Sequence, residues 1–331
     1  MRAAVLRRPG PAATGPLTLE DRPEPTPGAG EVLVRVAACA VCRTDLQLCE
    51  GDLAAHVLPV VPGHQVVGEV VGLGPGVTSR SVGERVGLTW LAGTCGRCRF
   101  CAGGRENLCE GITFTGWDRD GGYAEFVAAG ADVVHPLPGD RSAEELAPLL
   151  CAGVIGHRSL RRTGARPGDR LGLFGFGASA SIVIQLAVAE GMDVYVCTRS
   201  AREQRVALEL GAVWAGDFED RPPVPLQAAI TTAPVGEAVT LALAALDRGG
   251  VVAVNAIHLD RVPTFPYRDL WWEREIRSVA NVTRADAREF LDLAERVGVV
   301  TRFETRPLAE APAGLADLAA GRVDGSVVLV P

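Results

Sequence analysis

Residues 170–180 read RLGLFGFGASA, and this stretch decides the class of fold. A short apolar run ends at Phe174, and a helix-length apolar run, SIVIQLAVAE, begins at Ser181. Between them lies a G-x-G-x-x-A turn, formed by Gly175, Phe176, Gly177, Ala178, Ser179 and Ala180. The first glycine permits a tight turn, and the second lets the backbone approach a pyrophosphate at the helix N-terminus. The strand, the turn and the helix together predict a dinucleotide-binding site.

The sequence on the two sides of about residue 152 shows two different patterns of apolar residues. From about residue 152, apolar strands alternate with helix-length runs, in the order RLGLF, SIVIQLAVAE, VYVC, AREQRVALELG, AAIT, EAVTLALAAL and VVAVNA. This alternation predicts βαβ units with a parallel sheet. The first 150 residues hold Val-rich runs between Gly and Pro, such as EVLVRVAA, which predict a barrel-like or sandwich-like β unit. The terminal SVVLV matches that β-rich part, so we expect a discontinuous β-rich domain with an α/β domain inserted in it.

The composition narrows the range of functions. The chain has 331 residues, 47% of them apolar, with 33 basic and 40 acidic side chains and a net charge of −7. This length suits about two domains, and the negative charge argues against nucleic acid as a partner. Every basic side chain is arginine, which excludes lysine Schiff-base chemistry and a P-loop. The sequence lacks an apolar run of about 18 residues and a signal peptide, so we expect a cytoplasmic protein without a membrane partner.

Four of the nine cysteines form the pattern C-x2-C-x2-C-x7-C, at Cys95, Cys98, Cys101 and Cys109. In a chain without an export signal, such clustering indicates a metal site before it indicates disulfides. Four thiolates that converge tetrahedrally suit zinc, and a site with no open position is structural. An iron–sulfur cluster and a disulfide pair are the competing interpretations, and the spacing favours zinc over both.

Three further candidates for metal ligands are scattered along the chain, namely Cys42 in VCRTD, His64 in PGHQ and Cys151 in LLCAGV. Each of them alone is better explained as a buried core residue, because cysteine is among the most buried residue types. Their joint arrangement with the cysteine tetrad and the glycine-rich turn makes them candidates for a second metal site.

The combined pattern resembles the zinc-dependent medium-chain alcohol dehydrogenase family over nearly the whole chain. The segments that carry the resemblance are VCRTD at 41–45, PGHQVVGEVVGLGPGV at 62–77, the tetrad, DGGYAEFV at 120–127, LLCAGV at 149–154 and GFGASA at 175–180. The resemblance implies an α/β protein with two domains. These would be a GroES-like β-rich catalytic domain, residues 1–152 and 283–331, and a Rossmann domain with a doubly wound parallel sheet, residues 153–282. It also implies a homodimer or a homotetramer.

The resemblance further implies two zinc ions per chain, one structural in the tetrad and one catalytic. The catalytic zinc would have an open fourth position for water or a substrate oxygen, its protein ligands being Cys42, His64 and Cys151. Thr44 would hydrogen-bond the substrate oxygen, and Asp45 would orient His64. Arg43 would contact the pyrophosphate of the coenzyme.

The end of the second strand of the α/β domain bears on the choice of coenzyme. VYVC is followed by Thr198, Arg199 and Ser200, whereas an NAD site has an acidic residue there for the ribose 2′-hydroxyl. An arginine with two hydroxyls can hold a 2′-phosphate instead, with Arg202 or Arg205 nearby. The sequence therefore predicts that NADP(H) is preferred over NAD(H).

Two positions depart from the family's usual pattern. Gln47 stands where a histidine usually ends the proton relay, so the proton would pass through water or another group such as His56. Gln65 stands where a glutamate usually follows the ligand histidine, which makes the surroundings of the zinc one charge more positive. Both departures keep open a zinc-family reductase that adds hydride to an activated C=C bond or to an iminium.

The expected function is hydride transfer between NADP(H) and a small to medium alcohol or carbonyl compound. Trp90, Leu53 and Trp117 are predicted to line the substrate pocket, and a leucine in place of a bulky aromatic at position 53 would admit a larger substrate. Besides the reductase of C=C or iminium groups, a non-catalytic structural or binding protein that keeps the fold is an alternative. Trp271 and Trp272 are expected in the core or at a subunit contact.

Overall fold

A computed structural model describes residues 1–137, 139–259 and 261–331. The strands are β1 (Arg2–Leu6), β2 (Leu17–Asp21), β3 (Glu31–Ala40), β4 (Gln65–Leu73), β5 (Arg85–Leu88), β6 (Leu91–Gly93), β7 (Thr113–Phe114), β8 (Phe126–Gly130), β9 (Val134–Pro136), β10 (Arg170–Phe174), β11 (Asp193–Cys197), β12 (Trp214–Gly216), β13 (Leu226–Thr231), β14 (Leu246–Val254), β15 (Glu275–Ser278), β16 (Phe303–Pro307) and β17 (Ser326–Val330). The α-helices are α1 (Arg43–Glu50), α2 (Arg99–Ala102), α3 (Ala143–Leu146), α4 (Ala152–Thr163), α5 (Ala178–Ala189), α6 (Ala201–Glu209), α7 (Gly236–Ala244), α8 (Tyr267–Leu270), α9 (Arg284–Val297) and α10 (Ala311–Ala319).

The described chain folds into two compact units. The first consists of Met1–Cys151, Asn281–Leu291 and Thr301–Pro331, and the second of Ala152–Ala280 and Asp292–Val300. The predicted boundaries differ from these limits chiefly at Asp292–Val300, which was expected in the first domain. The reason lies in Gln185 of α5, whose amide donates to the carbonyl of Val300 and accepts from its N–H, both at 2.9 Å.

The first unit is built on a sheet with the strand order β16-β17-β3-β4-β5-β9, and β8 pairs with β3. The strands pair antiparallel except for β16 and β17. The valines of β3 are buried in the core, as their β-branched side chains favour. Ala40 at the end of β3 pairs with Gln65 at the start of β4. The segments beyond these two residues, which contain Cys42 and His64, therefore lie side by side.

The second unit is built on a parallel sheet with the order β12-β11-β10-β13-β14-β15. β10 lies between β11 and β13, so the chain order reverses at this strand. In open α/β sheets a ligand binds outside the carboxyl ends of the strands at such a switch point. Phe174, the last residue of β10, is buried, and the glycine-rich turn follows it directly.

The tryptophan pair at 271–272 lies on the surface of the second unit. Trp271 is 51% exposed and Trp272 is 48% exposed, which excludes the core, while the alternative of a subunit contact stays a prediction. The short helix α8 ends just before Trp271. Trp272 has a left-handed φ of 77°, and the edge strand β15 begins three residues later. The guanidinium of Arg248 covers the ring of Trp272 at 3.9 Å.

Long apolar helices are absent from the described residues. Within residues 1–137, 139–259 and 261–331, no helix has both the length and the apolar character that crossing a bilayer requires.

Candidate active site

The three scattered metal-ligand candidates converge in the first unit. The Sγ atoms of Cys42 and Cys151 and a ring nitrogen of His64 all lie within 4.8 Å of one another. Cys42 is the N-cap of α1, and His64 directly precedes β4. Cys151 ends a 3-10 turn, Ala147–Leu150, that packs against β3 and β4. Two thiols and an imidazole at this separation can hold a zinc ion and leave one coordination position open.

Asp45 fixes the orientation of the His64 ring. It lies in the first turn of α1, is 2% exposed, and accepts a hydrogen bond from Nδ1 of His64 at 3.0 Å. Because a carboxylate can only accept, Nδ1 carries a proton and Nε2 is left for another partner. Nε2 is buried and has no hydrogen-bond partner among the described residues. An imidazole anchored by a carboxylate at one nitrogen and unpartnered at the other is the geometry of a metal ligand.

The charges around His64 favour a cation. Burial disfavours the charged ring, but the Asp45 carboxylate and the Cys42 thiol outweigh it and raise the pKa of His64 to about 10. A hydrogen bond from the Cys151 thiol lowers the pKa of Cys42 well below its usual range. The same surroundings that stabilise a proton here would stabilise a divalent cation, which binds thiolates and neutral imidazole.

Tyr123 completes the support of Asp45, and sequence reasoning missed it. Its side chain is fully buried, and its hydroxyl donates to Oδ2 of Asp45 at 2.9 Å. Its ring packs against Gly63, where a Cβ would come within 2.4 Å of the ring. Tyr123 belongs to the DGGYAEFV segment, which carried the resemblance, but no spacing rule links that segment to Asp45.

The remaining predicted catalytic positions lie around α1 and the start of β4. Thr44 is half-buried in the first turn of α1, and Gln47 is buried one turn later. Gln65 is buried, and its Nε2 donates to the carbonyl of Ala40 at 3.2 Å. The Oε1 atom of Gln65 has no hydrogen-bond partner within the described part of the chain. The Gln65 amide therefore uses its nitrogen in a hydrogen bond but not its buried oxygen.

A row of rings leads away from His64. The ring centroids of His64 and Trp90 are 6.0 Å apart, those of Trp90 and Trp117 are 5.7 Å apart, and Trp90 stacks on Phe114 at 4.2 Å. Of the predicted pocket residues, Trp90 and Trp117 thus form one cluster beside the metal-ligand candidates. Leu53 is half-buried, and its N–H bonds the carbonyl of Gln47, so it follows directly on α1.

His56 closes the outer end of this row. It stacks on Trp117 at 3.9 Å, and its Nδ1 lies 2.7 Å from Oδ1 of Asp118. Trp117 also donates from Nε1 to the carbonyl of Ala54 at 2.9 Å. His56, which the sequence suggested as a proton carrier, is thus engaged with Asp118 and with the ring of Trp117.

The second group of metal-ligand candidates is the cysteine tetrad. The Sγ atoms of Cys95, Cys98, Cys101 and Cys109 lie within 4.8 Å of one another. Backbone N–H groups donate to the sulfurs, from Cys95 to Cys109 at 3.3 Å and from Cys98 to Cys95 at 3.4 Å. Chiefly through the N–H of Cys101, backbone donors lower the pKa of Cys98 to about 6. Desolvation and the neighbouring thiols raise the pKa of Cys101 to about 12, so the loop alone does not hold every sulfur as a thiolate. Four converging sulfurs with backbone donors fit a metal ion, whose positive charge would stabilise the thiolates.

The glycine-rich turn of the second unit has the geometry of a pyrophosphate cradle. Gly175 has a φ of 94°, and a Cβ there would lie 2.7 Å from the nitrogen of Ala233, so only glycine fits. Gly177 is the N-cap of α5, and a Cβ there would meet no atom of the described residues within 4 Å. The helix N-terminus is thus open to a ligand.

The other four residues of the turn are buried or half-buried. Phe176 and Ala180 pack into the unit, while Ala178 begins α5. Ser179 donates to the carbonyl of Ala152 at 2.9 Å, which fastens α5 to α4. Arg43, predicted to contact the same pyrophosphate, is exposed in the first turn of α1, and its contact with coenzyme stays a prediction.

The predicted 2′-phosphate position contains an acidic residue that sequence reasoning missed. The hydroxyl of Thr198 donates to the carboxylate of Glu203, and the hydroxyl of Ser200 caps α6 by accepting from the N–H of Glu203 at 3.3 Å. Arg199 is exposed. Residues 198–200 themselves include no acidic residue, but the carboxylate of Glu203 reaches the strand end from α6. Ser200 and Glu203 have the spacing of a capping box, which would direct the glutamate to the N-cap backbone rather than to Thr198.

Comparison with known proteins agrees with this geometry. Residues 28–139 match the model of the alcohol dehydrogenase GroES-like domain. The chain is 52% identical to a probable alcohol dehydrogenase, AdhA, of Mycobacterium tuberculosis over 336 aligned residues, which cover 100% of this chain and 97% of the relative. The chain belongs to the zinc-dependent medium-chain alcohol dehydrogenase family.

Solved structures agree over the full length of this alcohol dehydrogenase. A cobalt- and zinc-bound thermostable alcohol dehydrogenase from Pyrobaculum aerophilum is 26% identical, with a TM-score of 0.92 over 100% of this chain and 99% of its own. A putative zinc-binding dehydrogenase from Sinorhizobium meliloti, bound to NADP, is 27% identical, with a TM-score of 0.87 over 100% and 99%. The predicted α/β fold class, with a GroES-like domain and a Rossmann-type parallel sheet, is confirmed.

The relatives support an oxidoreductase of the alcohol dehydrogenase type, whose substrates are small-molecule alcohols or aldehydes. Two thiols and one imidazole are the ligand set by which alcohol dehydrogenases hold a catalytic zinc. The candidate ligands of this chain, Cys42, His64 and Cys151, form such a set.

Proposed function

We propose that this chain transfers hydride between NADP(H) and a small to medium alcohol or carbonyl compound, with zinc at its reaction centre. The observation that carries the proposal is the convergence of Cys42, His64 and Cys151, together with the unpartnered Nε2 of His64 among the described residues. When bound, zinc supplies Lewis acidity toward a substrate oxygen, and the nicotinamide supplies or accepts the hydride.

The protein's own residues hold and orient the reacting groups. Asp45 keeps the proton on Nδ1 of His64 and thereby directs Nε2 toward the metal position. The hydroxyl of Thr44, two residues after Cys42, hydrogen-bonds the substrate oxygen and passes its proton on. Gln47 cannot accept that proton near neutral pH, so we propose that water carries it to solvent. The contact of His56 with Asp118 supports this route over one through His56.

We propose two zinc ions per chain, the second one in the cysteine tetrad. Its four sulfurs leave no open position, so this ion is structural. The support is the mutual distance of the sulfurs and their backbone N–H donors. Elemental analysis of the purified protein should give close to two zinc ions per chain.

We propose NADP(H) as the preferred coenzyme. Arg199 supports this preference, because it is exposed directly after β11 and can pair with a 2′-phosphate. The pyrophosphate would lie against Gly175 and Gly177 at the N-terminus of α5, with Arg43 as a further contact. The relative from Sinorhizobium meliloti, named as bound to NADP, adds support.

The proposal is tested with Cys151→Ser, followed by nicotinamide absorbance and elemental analysis. We expect the variant to lose one zinc ion per chain and more than about a hundredfold in kcat/KM, because a ligand thiolate is lost. Cys49→Ala is the matched control, since Cys49 is buried in α1 but lies outside both metal-ligand groups. Full activity in Cys151→Ser would overturn the proposal.

A substrate panel separates the proposal from its alternatives. Aldehydes, ketones, enones and imines are each offered with NADPH and with NADH. We expect turnover of aldehydes and ketones, with planar ring-bearing substrates favoured because Trp90 and Trp117 offer stacking surfaces. Turnover of enones or imines alone would establish the C=C or iminium reductase. A protein that contains metal and turns over none of these compounds would be a binding protein on this fold.

We also propose an assembly of two or four copies in the cytoplasm, with domains that correspond to the two compact units. The edge strand β15 supports the assembly, since Ile276 on it and the nearby Trp271 are exposed apolar side chains beside a sheet edge that no other described strand pairs with. Light scattering of the purified protein measures the number of copies. A monomer at micromolar concentration would contradict the proposed assembly.

A further inference from the structure

The first turn of α6 folds back onto the end of β11. Glu203 accepts a hydrogen bond from the hydroxyl of Thr198, and Gln204 donates from Nε2 to the carbonyl of the same residue at 2.8 Å. Thr198 is 4% exposed, while Glu203 remains half-buried. The carboxylate of Glu203 is therefore held at the carboxyl end of β11, where it keeps access to solvent.

In dinucleotide-binding sheets, side chains at this position contact the 2′ substituent of the ribose and so set the preference for NAD(H) or NADP(H). The strand after the glycine-rich turn ends about 20 residues beyond that turn, and an acidic group there binds the ribose 2′-hydroxyl. Glu203 reaches this location from α6 rather than from the strand itself. Its Oε atoms can accept hydrogen bonds from a ribose diol but would repel a 2′-phosphate.

The nearby hydroxyls are engaged inside the protein. The Thr198 hydroxyl proton is directed to Glu203, and the Ser200 oxygen accepts from the N–H of Glu203. Thr198 was predicted to help hold a 2′-phosphate, but its hydroxyl already donates its proton to Glu203. Arg199 faces solvent and keeps its positive charge for a phosphate. One cation and one anion consequently compete at the same ribose.

We infer that Glu203 is a specificity-determining residue for the coenzyme, which opposes Arg199 and keeps the discrimination between NADPH and NADH shallow. This inference rests on the proposed function, because it concerns the same coenzyme site. Arg199 gains from the 2′-phosphate, Glu203 gains from the free 2′-hydroxyl, and the two effects offset each other. Removing the charge of Glu203 shifts the preference toward NADPH.

The test uses the full chain and direct binding of each coenzyme, measured by the quenching of tryptophan fluorescence. For the unaltered protein we expect Kd values for NADPH and NADH that differ by less than about tenfold. In Glu203→Gln, which retains an oxygen for the Thr198 hydroxyl, we expect the Kd ratio to move toward NADPH by about tenfold, the effect of one exposed charge pair. Glu209→Gln is the matched control at the far end of α6 and should leave the ratio unchanged.

The outcomes distinguish this inference from the proposed function. If both coenzymes bind and Glu203→Gln leaves their Kd ratio within twofold of the original, the inference is wrong while the proposed function stands. A shift toward NADH in that variant would also overturn it. If neither coenzyme binds to the unaltered protein, the proposed function fails and the inference fails with it.

Discussion

The hydroxyl of Tyr123 donates to Oδ2 of the buried Asp45 at 2.9 Å, at the centre of a hydrogen-bond network. The same Oδ2 accepts from the N–H of Cys42, and Oδ1 accepts from Nδ1 of His64 and from the N–H of Gly63. Each carboxylate oxygen thus accepts two hydrogen bonds, which uses its acceptor capacity fully. One buried carboxylate therefore holds together the start of α1, the loop before β4 and Tyr123. Two of the three metal-ligand candidates, Cys42 and His64, hydrogen-bond to it directly.

Tyr123→Phe should weaken retention of the zinc proposed at Cys42, His64 and Cys151. The ring and its packing remain, but Asp45 loses a donor and holds His64 less firmly. Groups bonded directly to a metal ligand, as Asp45 is to His64, change metal affinity by about tenfold or more, and Tyr123 acts through Asp45. Zinc release to a chromogenic chelator measures the effect, and we expect the release from this site to become about tenfold faster.

The control for this experiment is Tyr195→Phe, which removes a hydroxyl from the buried strand β11 of the second unit. Zinc proposed in the cysteine tetrad serves as an internal reference, because those four cysteines lie outside the Asp45 network and the release rate there should not change. Equal acceleration at both sites would mean that Tyr123→Phe acts only through global stability.

Gln65→Glu should raise the rate of carbonyl reduction and lower the stability of the protein. The new negative charge offsets the extra positive charge of the zinc surroundings. The substitution also removes the Nε2 donor to the carbonyl of Ala40, which costs about 1–3 kcal/mol for a buried acceptor. Initial rates with a good aldehyde and urea denaturation measure the two effects.

Gln47→His is the companion variant, because it restores a titratable group in α1 without touching Ala40. We expect a rate increase that follows the ionisation of the new histidine, with a smaller change in stability. If neither Gln65→Glu nor Gln47→His raises the carbonyl-reduction rate, the site is adapted to another reaction.

Cys98→Ser should remove the zinc proposed in the tetrad and destabilise the loop around it. The sulfur of Cys98 lies 3.6 Å from that of Cys101 and within the tetrad, so a three-ligand site would remain. We expect one zinc ion per chain instead of two, a lower Tm and faster proteolysis near α2. Elemental analysis and limited proteolysis check both points, with Cys197→Ser as a control in a buried cysteine outside the group. Two retained zinc ions would contradict the structural assignment.

Much of the fold could be predicted because its signals are local. The glycine-rich turn requires a positive φ at Gly175, and such a requirement can be read from residue types alone. The alternation of strands and helices from RLGLF onward likewise depends on the hydrophobic period. The helix-length run AREQRVALELG, which starts at residue 201, corresponds to α6, Ala201–Glu209.

The parts that could not be predicted depend on side chains that meet through tertiary packing. Tyr123 and Asp45 are 78 residues apart in sequence, and only the fold brings their oxygens together. Glu203 is five residues from Thr198, but the capping-box pattern that its spacing from Ser200 matches pairs a glutamate with the N-cap backbone instead. The tryptophans at 271–272 are exposed because the backbone turns there, which apolar composition alone does not reveal.

His135 should make the protein less stable at acidic pH. Burial, strengthened by Arg288, Arg80 and Arg284, lowers the pKa of His135 in β9 to about 4. Below pH 6.5 this histidine binds a proton in the unfolded chain but stays neutral in the folded chain. The free energy of unfolding therefore falls as pH drops from 6.5 toward 4. The loss between pH 7.5 and pH 5 is about 2 kcal/mol for this group.

His135→Gln should reduce that loss, because glutamine does not titrate. Urea denaturation at pH 7.5 and at pH 5 measures the difference for each protein, and comparison of the variant with the unaltered chain cancels the acid sensitivity of the metal sites. His258→Gln, at an exposed position, is the control and should keep the full pH dependence. An unchanged pH dependence in His135→Gln would contradict the assignment of the proton to this ring.

Gly63→Ala should disturb the metal-ligand site through Tyr123. Gly63 has a φ of 96°, and an added Cβ would lie 2.4 Å from the Tyr123 ring and 2.9 Å from Sγ of Cys39. The ring must move, and its hydroxyl then leaves Asp45. We expect a loss of more than about 2 kcal/mol in the free energy of unfolding, together with faster zinc release.

Gly76→Ala separates the contact from the backbone strain in this prediction. Gly76 also has a positive φ, 81°, but a Cβ there would meet no described atom within 4 Å. It should therefore cost only about 1–2 kcal/mol, the penalty of the left-handed conformation, and should leave zinc release unchanged. If Gly63→Ala released zinc no faster than Gly76→Ala does, the packing of Tyr123 on Gly63 would not be what holds Asp45 in position.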